Sequence, residues 1–381
     1  MPRFLAPLIA PLLLLPALWG CSHSAAPASD SPLSPAALAA VKADPGVGRE
    51  RLARAVNRLF TDPAMAETRA VIVMHGGRMV AERYAPGYTP QTRFVSWSMA
   101  KSITGVMIGM LIADGRLRLN ESAPVPAWQR PGDPRGEITL KQLLQMRSGL
   151  NHTEAGDPIY SSDEVRMLFR DGRDNMAAYA EAQPLEAEPG AKFEYSTATT
   201  VILADIATRA LVENPALAEN PAIRRRAMDE FLRTRLFEPI GMHSMVPEYD
   251  RFGTLIGGSL IHGTARDWAK FGEFLRAGGS VRGAQLIPRG WIDFMTHPSP
   301  RNAAYGAQIW LNHRPSKGAE GTLFPGHGPA SLFSCVGHLG QYVIVSPRQD
   351  LVIVRLGKTN DGDRAPMVAG LAKLVDLFPA R

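Results

Sequence analysis

The segment from Val95 to Leu111, VSWSMAKSITGVMIGML, decides the reading of this chain. It follows a loop carrying Arg93 and Phe94 and then turns helical, so that Ser98 and Lys101 fall at i and i+3 on one face of the first turn. A serine hydroxyl is a weak nucleophile until a neighbouring base takes its proton, and a desolvated lysine of depressed pKa can be that base. An arginine could not, because it does not deprotonate. A helix start also supplies backbone N–H groups and the positive end of the helix dipole, both suited to a developing oxyanion. The plain alternative is a capping serine beside a surface lysine. With 21 Ser and 8 Lys in the chain, random placement gives on the order of half an S-x-x-K match. This is the one present, and no G-x-S-x-G, H-E-x-x-H, Walker-type or dinucleotide-binding pattern competes with it.

Outward from this helix, TRAVIVMHGGRMVAERY (68–84) sets two β-rich runs around Gly76-Gly77, a hairpin signal. Near the other end, GQYVIVSPRQDLVIVRLG (340–357) alternates apolar residues around a turn-like SPRQD, and APMVAGLAKLVDLF (365–378) closes with a helical period. Strands joined by short turns pair antiparallel, so the two ends predict one antiparallel sheet. Between 121 and 250 the helical period dominates, as in VILADIATRAL and AIRRRAMDEFLRTRLF. The chain is therefore read as α+β: an antiparallel sheet flanked by helices, with an inserted all-helical subdomain. Its divisions are 1–20 signal peptide, 21–45 flexible tether, 46–120 with 251–381 sheet domain, and 121–250 helical subdomain. The run Arg224-Arg225-Arg226 is read as a solvated helix face.

The 381 residues are 45% hydrophobic and 20% charged, which excludes a disordered chain. A net charge of +6 spread over this length gives no signal for nucleic acid as a partner. The apolar run Phe4 to Trp19 follows Arg3, is interrupted by Pro7, Pro11 and Pro16, and is too short for a bilayer helix. It reads as a signal peptide. Leu18-Trp19-Gly20-Cys21 resembles a bacterial lipoprotein cleavage box, with Trp19 in place of the usual small residue. Cys21 is the expected lipidation site, with simple cleaved secretion or a retained anchor as alternatives. The expected location is the periplasm, on a lipid anchor in the envelope membrane. The tether SHSAAPASDSPLSP follows it, and Cys335 is left without a disulfide partner.

Two further segments join FVSWSMAKSITG. They are Pro189-Gly190-Ala191-Lys192-Phe193-Glu194-Tyr195-Ser196-Thr197 and Val336-Gly337-His338-Leu339-Gly340-Gln341. In order and spacing the three resemble the S-x-x-K, Y-x-N or Y-x-S, and K-T-G or H-x-G motifs of serine hydrolases related to class C β-lactamases and penicillin-binding proteins. LKQLLQMRSGL, FEPIGM, GGSLIHGTARDWAKFGEFLRAGG and YGAQIWLN also look like family sequence, extending the likeness over roughly 50 to 378. The resemblance implies a β-lactamase/transpeptidase-like fold with no metal and no cofactor.

It also implies roles. Ser98 is the acylated nucleophile and Lys101 its base, while Tyr195 shares their protons and needs the Lys101 cation nearby to hold a phenolate. Alone, Tyr195 reads as a buried core tyrosine. The backbone N–H groups of Ser98 and Gln341 form the oxyanion hole, and Gly340 lets substrate approach its strand. His338 contacts substrate or is structural, Thr197 takes the third place of the tyrosine motif, and Trp97 and Trp310 wall the pocket or belong to the core. Cys335 is a small apolar strand residue. Lactamases place Asn where Thr197 stands and Lys where His338 stands, a loss that puts lactamase activity in doubt. FEYSTATT and GHLGQYVIV look closer to the branch of 6-aminohexanoate-dimer hydrolases and related esterases. The expected activity is hydrolysis of a small ester or amide through an acyl-enzyme. The alternatives are a β-lactamase or D-Ala peptidase, and a non-catalytic lipid-tethered envelope protein.

Overall fold

The structure is a computed structural model and describes residues 32–212 and 214–380. Cys21 and the segment read as a signal peptide lie outside the described residues. Strands β1 (Glu67–His75) and β2 (Arg78–Tyr84) meet at Gly76 and Gly77, with φ of 57° and 74°. A tight hairpin needs such positive φ, and glycine adopts it without a Cβ clash. Short strands β3 (Arg93–Val95), β4 (Val246–Pro247) and β5 (Ile261–Thr264) form a small sheet in the order β3-β5-β4. This sheet spans the boundary expected at 250. A two-stranded ribbon, β6 (Ser280–Val281) with β7 (Ala284–Gln285), precedes β8 (Trp310–Leu311), β9 (Phe333–Gly337), β10 (Gln341–Ser346) and β11 (Leu351–Lys358).

The main sheet runs β2-β1-β11-β10-β9-β8, antiparallel throughout. β1 pairs with β11 from Glu67↔Lys358 to His75↔Leu351, so the two ends of the chain do build one sheet. Alternate residues enter opposite cores: Val343, Val345, Val352 and Val354 face one, Ile344, Leu351 and Ile353 the other. Both faces are dry, which is why these strands read as nearly continuous apolar runs. On the first face α10 (Ala265–Arg276) packs so close that a Cβ at Gly272 would fall 2.5 Å from Val352. The second face is covered by α2 (Arg49–Thr61) and α12 (Arg364–Val375), through Leu52, Leu59, Leu371 and Val375. Before them α1 (Pro35–Ala39) buries Ala37, and Val41 bridges to Ala81. Packed structure therefore reaches back into the 21–45 segment read as a tether.

The nucleophile segment becomes α3 (Ala100–Ala113), buried from Ala100 to Leu111 on every side. A helix apolar all round belongs in the middle of a fold. Its neighbours include α7 (Thr197–Leu211), which in turn packs on α4 (Leu140–Leu144), α5 (Asp163–Phe169), α6 (Met176–Glu181) and α8 (Pro221–Phe231). A π-helical turn, Leu232–Phe237, extends α8 into α9 (Glu238–Ile240), and α11 (Arg289–Met295) returns to α3.

One expectation fails in this region. Arg225 and Arg226 are exposed, but Arg224 is wholly buried. It pairs with Asp205 of α7 and donates to Phe252 O at 3.0 Å, Ala218 O at 2.9 Å and Thr254 Oγ1 at 2.8 Å. On a helix with one buried face the 3.6-residue period brings a residue inward every three to four positions, and here a buried carboxylate receives Arg224.

Candidate active site

Ser98 lies in a 3₁₀ turn, Trp97–Met99, immediately before α3. Trp97 has φ of 46°, an unfavourable conformation for a bulky residue and a common mark of functional turns. Lys101 follows one turn later, 1% exposed. Its Nζ donates to Ser98 Oγ at 2.9 Å, Thr197 Oγ1 at 2.7 Å and Gly258 O at 3.0 Å. Those bonds use all three protons of an ammonium; the neutral amine would turn its lone pair to the Ser98 proton instead. Burial pushes the lysine pKa down, opposed by the charges of Glu154 and Glu164. The geometry is that of a serine paired with a base.

Tyr195 lies just before α7, and its ring covers Lys101 Nζ at 4.8 Å from the centroid. Burial first, then the charge of Glu154, pushes its phenol well above the ordinary value, while an interaction with the Ser98 side chain acts the other way. The expected phenolate is therefore disfavoured, and the group is held as a phenol with a proton to give. Trp310 lies tilted against Tyr195 at 5.3 Å between centroids, with Tyr305 edge-on to both. Trp310 is buried and so supports Tyr195 from the core side. Trp97 is half-buried and meets the exposed His338 edge-on at 5.3 Å.

Thr197 is fully buried, which leaves its side chain no open face for substrate. It links Lys101 to Glu154: its N–H donates to Glu154 Oε2 and its hydroxyl to Glu154 Oε1, each at 2.6 Å. Glu154 Oε1 is 3.9 Å from Lys101 Nζ. A carboxylate is favoured here because it meets the unpaired N–H end of α7. Glu164, on α5, is pushed up to about 7 by burial and by the charge of Glu154. Neither glutamate was singled out in the sequence, since no motif marks an acid that reaches the site from a separate loop and helix.

The third motif needs correction. His338, Leu339 and Gly340 form the turn between β9 and β10 rather than a strand beside the nucleophile. Gly340 has φ of 77°, and a Cβ there would meet Arg355, Met367 and Thr359, away from Ser98. The close approach is made by Gly337, whose Cβ would fall 2.3 Å from Ser96 O. Gln341 pairs with Gly337 inside the sheet, and its side chain holds the turn through His338 O at 3.0 Å and Leu339 O at 3.1 Å. The close approach expected at Gly340 is therefore made by Gly337, and the residue that follows it is His338 rather than Gln341. Among the described residues neither Ser98 N–H nor His338 N–H has a hydrogen-bond acceptor. Cys335 is buried as expected, its thiol pushed up to about 12 by burial.

Residues 56–376 match the Beta-lactamase family. The 6-aminohexanoate-dimer hydrolase of Paenarthrobacter ureafaciens is 25% identical over 351 residues, covering 85% of this chain and 81% of that one. A Bacillus anthracis protein provisionally assigned as a 6-aminohexanoate-dimer hydrolase superposes with a TM-score of 0.64 at 22% identity, over 82% of this chain and 81% of the other. A family VIII carboxylesterase gives 0.62 at 15% identity, over 86% and 96%. These two structures share the fold, and the family match spans both halves of the sheet together with Ser98, Lys101 and Tyr195. The chain belongs to the beta-lactamase family and is a serine hydrolase.

Proposed function

We propose that this protein hydrolyses a linear ester or amide through an acyl-enzyme on Ser98. The neutral Lys101 amine accepts the Ser98 proton as Oγ bonds to the substrate carbonyl carbon. Negative charge moves to the carbonyl oxygen, where the free N–H groups of Ser98 and His338 are the donors that receive it. Collapse of this intermediate breaks the bond to the leaving oxygen or nitrogen, which takes a proton from Tyr195; Lys101 returns its proton to Tyr195. Water, activated by the same groups, then releases the acid and restores the Ser98 hydroxyl.

The observation that carries this reading is the 2.9 Å contact of a buried Lys101 amine with Ser98. A linear substrate is favoured over a β-lactam by two features. Thr197 is closed off by Glu154, and neither His338 nor Cys335 supplies the permanent cation that would bind a lactam carboxylate. The name of the Paenarthrobacter relative points the same way. The test is incubation with short acyl esters, linear amides and β-lactams, read by intact mass and turnover. The reading expects a transient adduct on Ser98 with esters or amides and a Ser98→Ala protein that forms none. Turnover of a cephalosporin would support a lactamase or D-Ala peptidase instead. Failure of a fluorophosphonate to label Ser98 while a model ester is being hydrolysed would refute the mechanism. A Ser98→Ala strain with the full wild-type phenotype would support a non-catalytic envelope role.

We further propose that the enzyme is periplasmic and carried on a lipid attached to Cys21, a reading supported by the Leu18-Trp19-Gly20-Cys21 box. Labelled palmitate should enter the wild type and not Cys21→Ala.

A further inference from the structure

We propose that Glu154 is a positioning residue for acylation, acting through Thr197 to hold the Lys101 amine against the Ser98 hydroxyl. The inference rests on the acyl-enzyme reading above and deepens it.

A threonine hydroxyl has one proton and two lone pairs. One lone pair of Thr197 is taken by Lys101 Nζ at 2.7 Å, so the proton must leave in another direction. Glu154 Oε1 receives it at 2.6 Å. The second oxygen, Oε2, receives Thr197 N–H, also at 2.6 Å, so the carboxylate is fixed by two short charge-assisted bonds and cannot swing away. Without that acceptor the Thr197 hydroxyl is free to turn its proton toward Lys101. Two donors would then face each other, and the amine would lose one of the contacts that aim it at Ser98. An asparagine, the lactamase residue at this place, has a carbonyl oxygen that accepts from lysine whatever its NH₂ group does. Threonine has no such separation of roles, so in this chain Glu154 completes the site.

The charges around Lys101 give the proposal a second readout. The amine is faced by the Tyr195 ring from the start of α7, by Glu154 from the loop after Leu150, by Glu164 from α5, and by the Gly258 carbonyl. Burial lowers the lysine, and the two glutamates oppose it. Replacing Glu154 by a neutral residue removes one opposing charge, so Lys101 must lose its proton at lower pH. The same change loosens the amine. Plateau acylation should therefore fall while the acidic limb of the rate profile moves to lower pH, a combination that a merely structural residue does not produce.

The experiment compares wild type, Glu154→Gln, Thr197→Val and the double variant. Single-turnover acylation by a p-nitrophenyl ester is followed from pH 5 to 10, with thermal melting as the check on folding. Glu154→Gln keeps one acceptor oxygen but turns an NH₂ group on the other of the two Thr197 donors, and is expected to lose about 30-fold in plateau rate, the scale of a slightly misplaced catalytic group, with its acidic limb shifted down. Thr197→Val should be similarly slow. The double variant should be no slower than the slower single one, because both changes remove one linkage. If Glu154→Gln does not fold, Glu154→Asp, too short to make both Thr197 contacts at once, replaces it: its plateau rate should fall in the same way, while its acidic limb, with the negative charge kept, should stay near that of wild type.

A wild-type plateau in the Glu154 variant, or losses that multiply in the double variant, would overturn the proposal. Labelling of wild-type Ser98 by a fluorophosphonate separates the two levels. No labelling sinks the acyl-enzyme reading itself, whereas normal labelling with an indifferent Glu154 sinks only this inference.

Discussion

Gly337 lies directly against Ser96: a Cβ on Gly337 would sit 2.3 Å from the Ser96 carbonyl oxygen and 3.2 Å from Trp97 Cβ. The end of β9 and the nucleophile turn are thus in backbone contact, and their spacing sets where Ser98 N–H and His338 N–H stand relative to each other. Because Gly337 is not in a positive-φ conformation, an alanine there conflicts through space alone. Gly337→Ala should push the strand and the turn apart and lower acylation by about 100-fold, with most of the melting temperature kept. Gly340→Ala meets φ of 77° and the Arg355 guanidinium, and should lose stability instead. Stopped-flow acylation and melting curves of the two variants separate these effects.

In the proposed mechanism Lys101 takes up and returns a proton, and burial holds its pKa below the ordinary 10.5. The acidic limb of the wild-type acylation profile should therefore lie below 10.5. Lys101→Arg keeps the charge and cannot act as base, so its acylation should fall at least about a thousandfold and show no rise with pH in this range. A profile for the arginine variant parallel to wild type would remove Lys101 from the base role.

Arg224 and Asp205 form an ion pair with both partners buried. Arg224→Ala leaves the Asp205 carboxylate without its closest cation, and Thr254 and two backbone carbonyls without a donor. The expected cost is about 3–5 kcal/mol, against about 0.5 kcal/mol or less for Arg225→Ala or Arg226→Ala. Urea denaturation of the three variants checks the ordering.

Glu181 is pushed up to about 8 by burial and by the charge of Asp205, and its Oε1 has no hydrogen-bond partner among the described residues. A carboxyl whose pKa is higher folded than unfolded takes up a proton on folding. Its contribution is intact below the unfolded value near 4.5 and is lost as pH rises through about 8. Glu181→Gln should therefore gain on wild type by up to about 1.4 kcal/mol per pH unit across that window, and gain nothing further above it. Denaturation at pH 5, 6.5 and 8 measures the slope.

By itself the sequence determined the sheet and the pairing of Ser98 with Lys101. The Gly76-Gly77 hairpin, the paired apolar runs of β10 and β11, and the S-x-x-K spacing are local: each is set by turn chemistry or by the helix period within a few residues. Tyr195 was legible through the resemblance of its segment, although not through its surroundings. Only the tertiary structure decided which residues gather around the buried Lys101 amine. Glu154 and Glu164 come from a loop and a helix that bear no motif, and they matter because burial around Lys101 makes two carboxylates count. The third motif shows the same limit. Counting along His338-Leu339-Gly340-Gln341 placed the close approach at Gly340, but the β9–β10 pairing puts those first three residues in the turn and leaves Gly337 in contact with Ser96. Hairpin register is fixed by cross-strand packing and turn geometry, and a shift along it carries every role to another residue. Arg224 follows the same rule: the helix period turns it inward, but only the packing of α8 on α7 supplies Asp205.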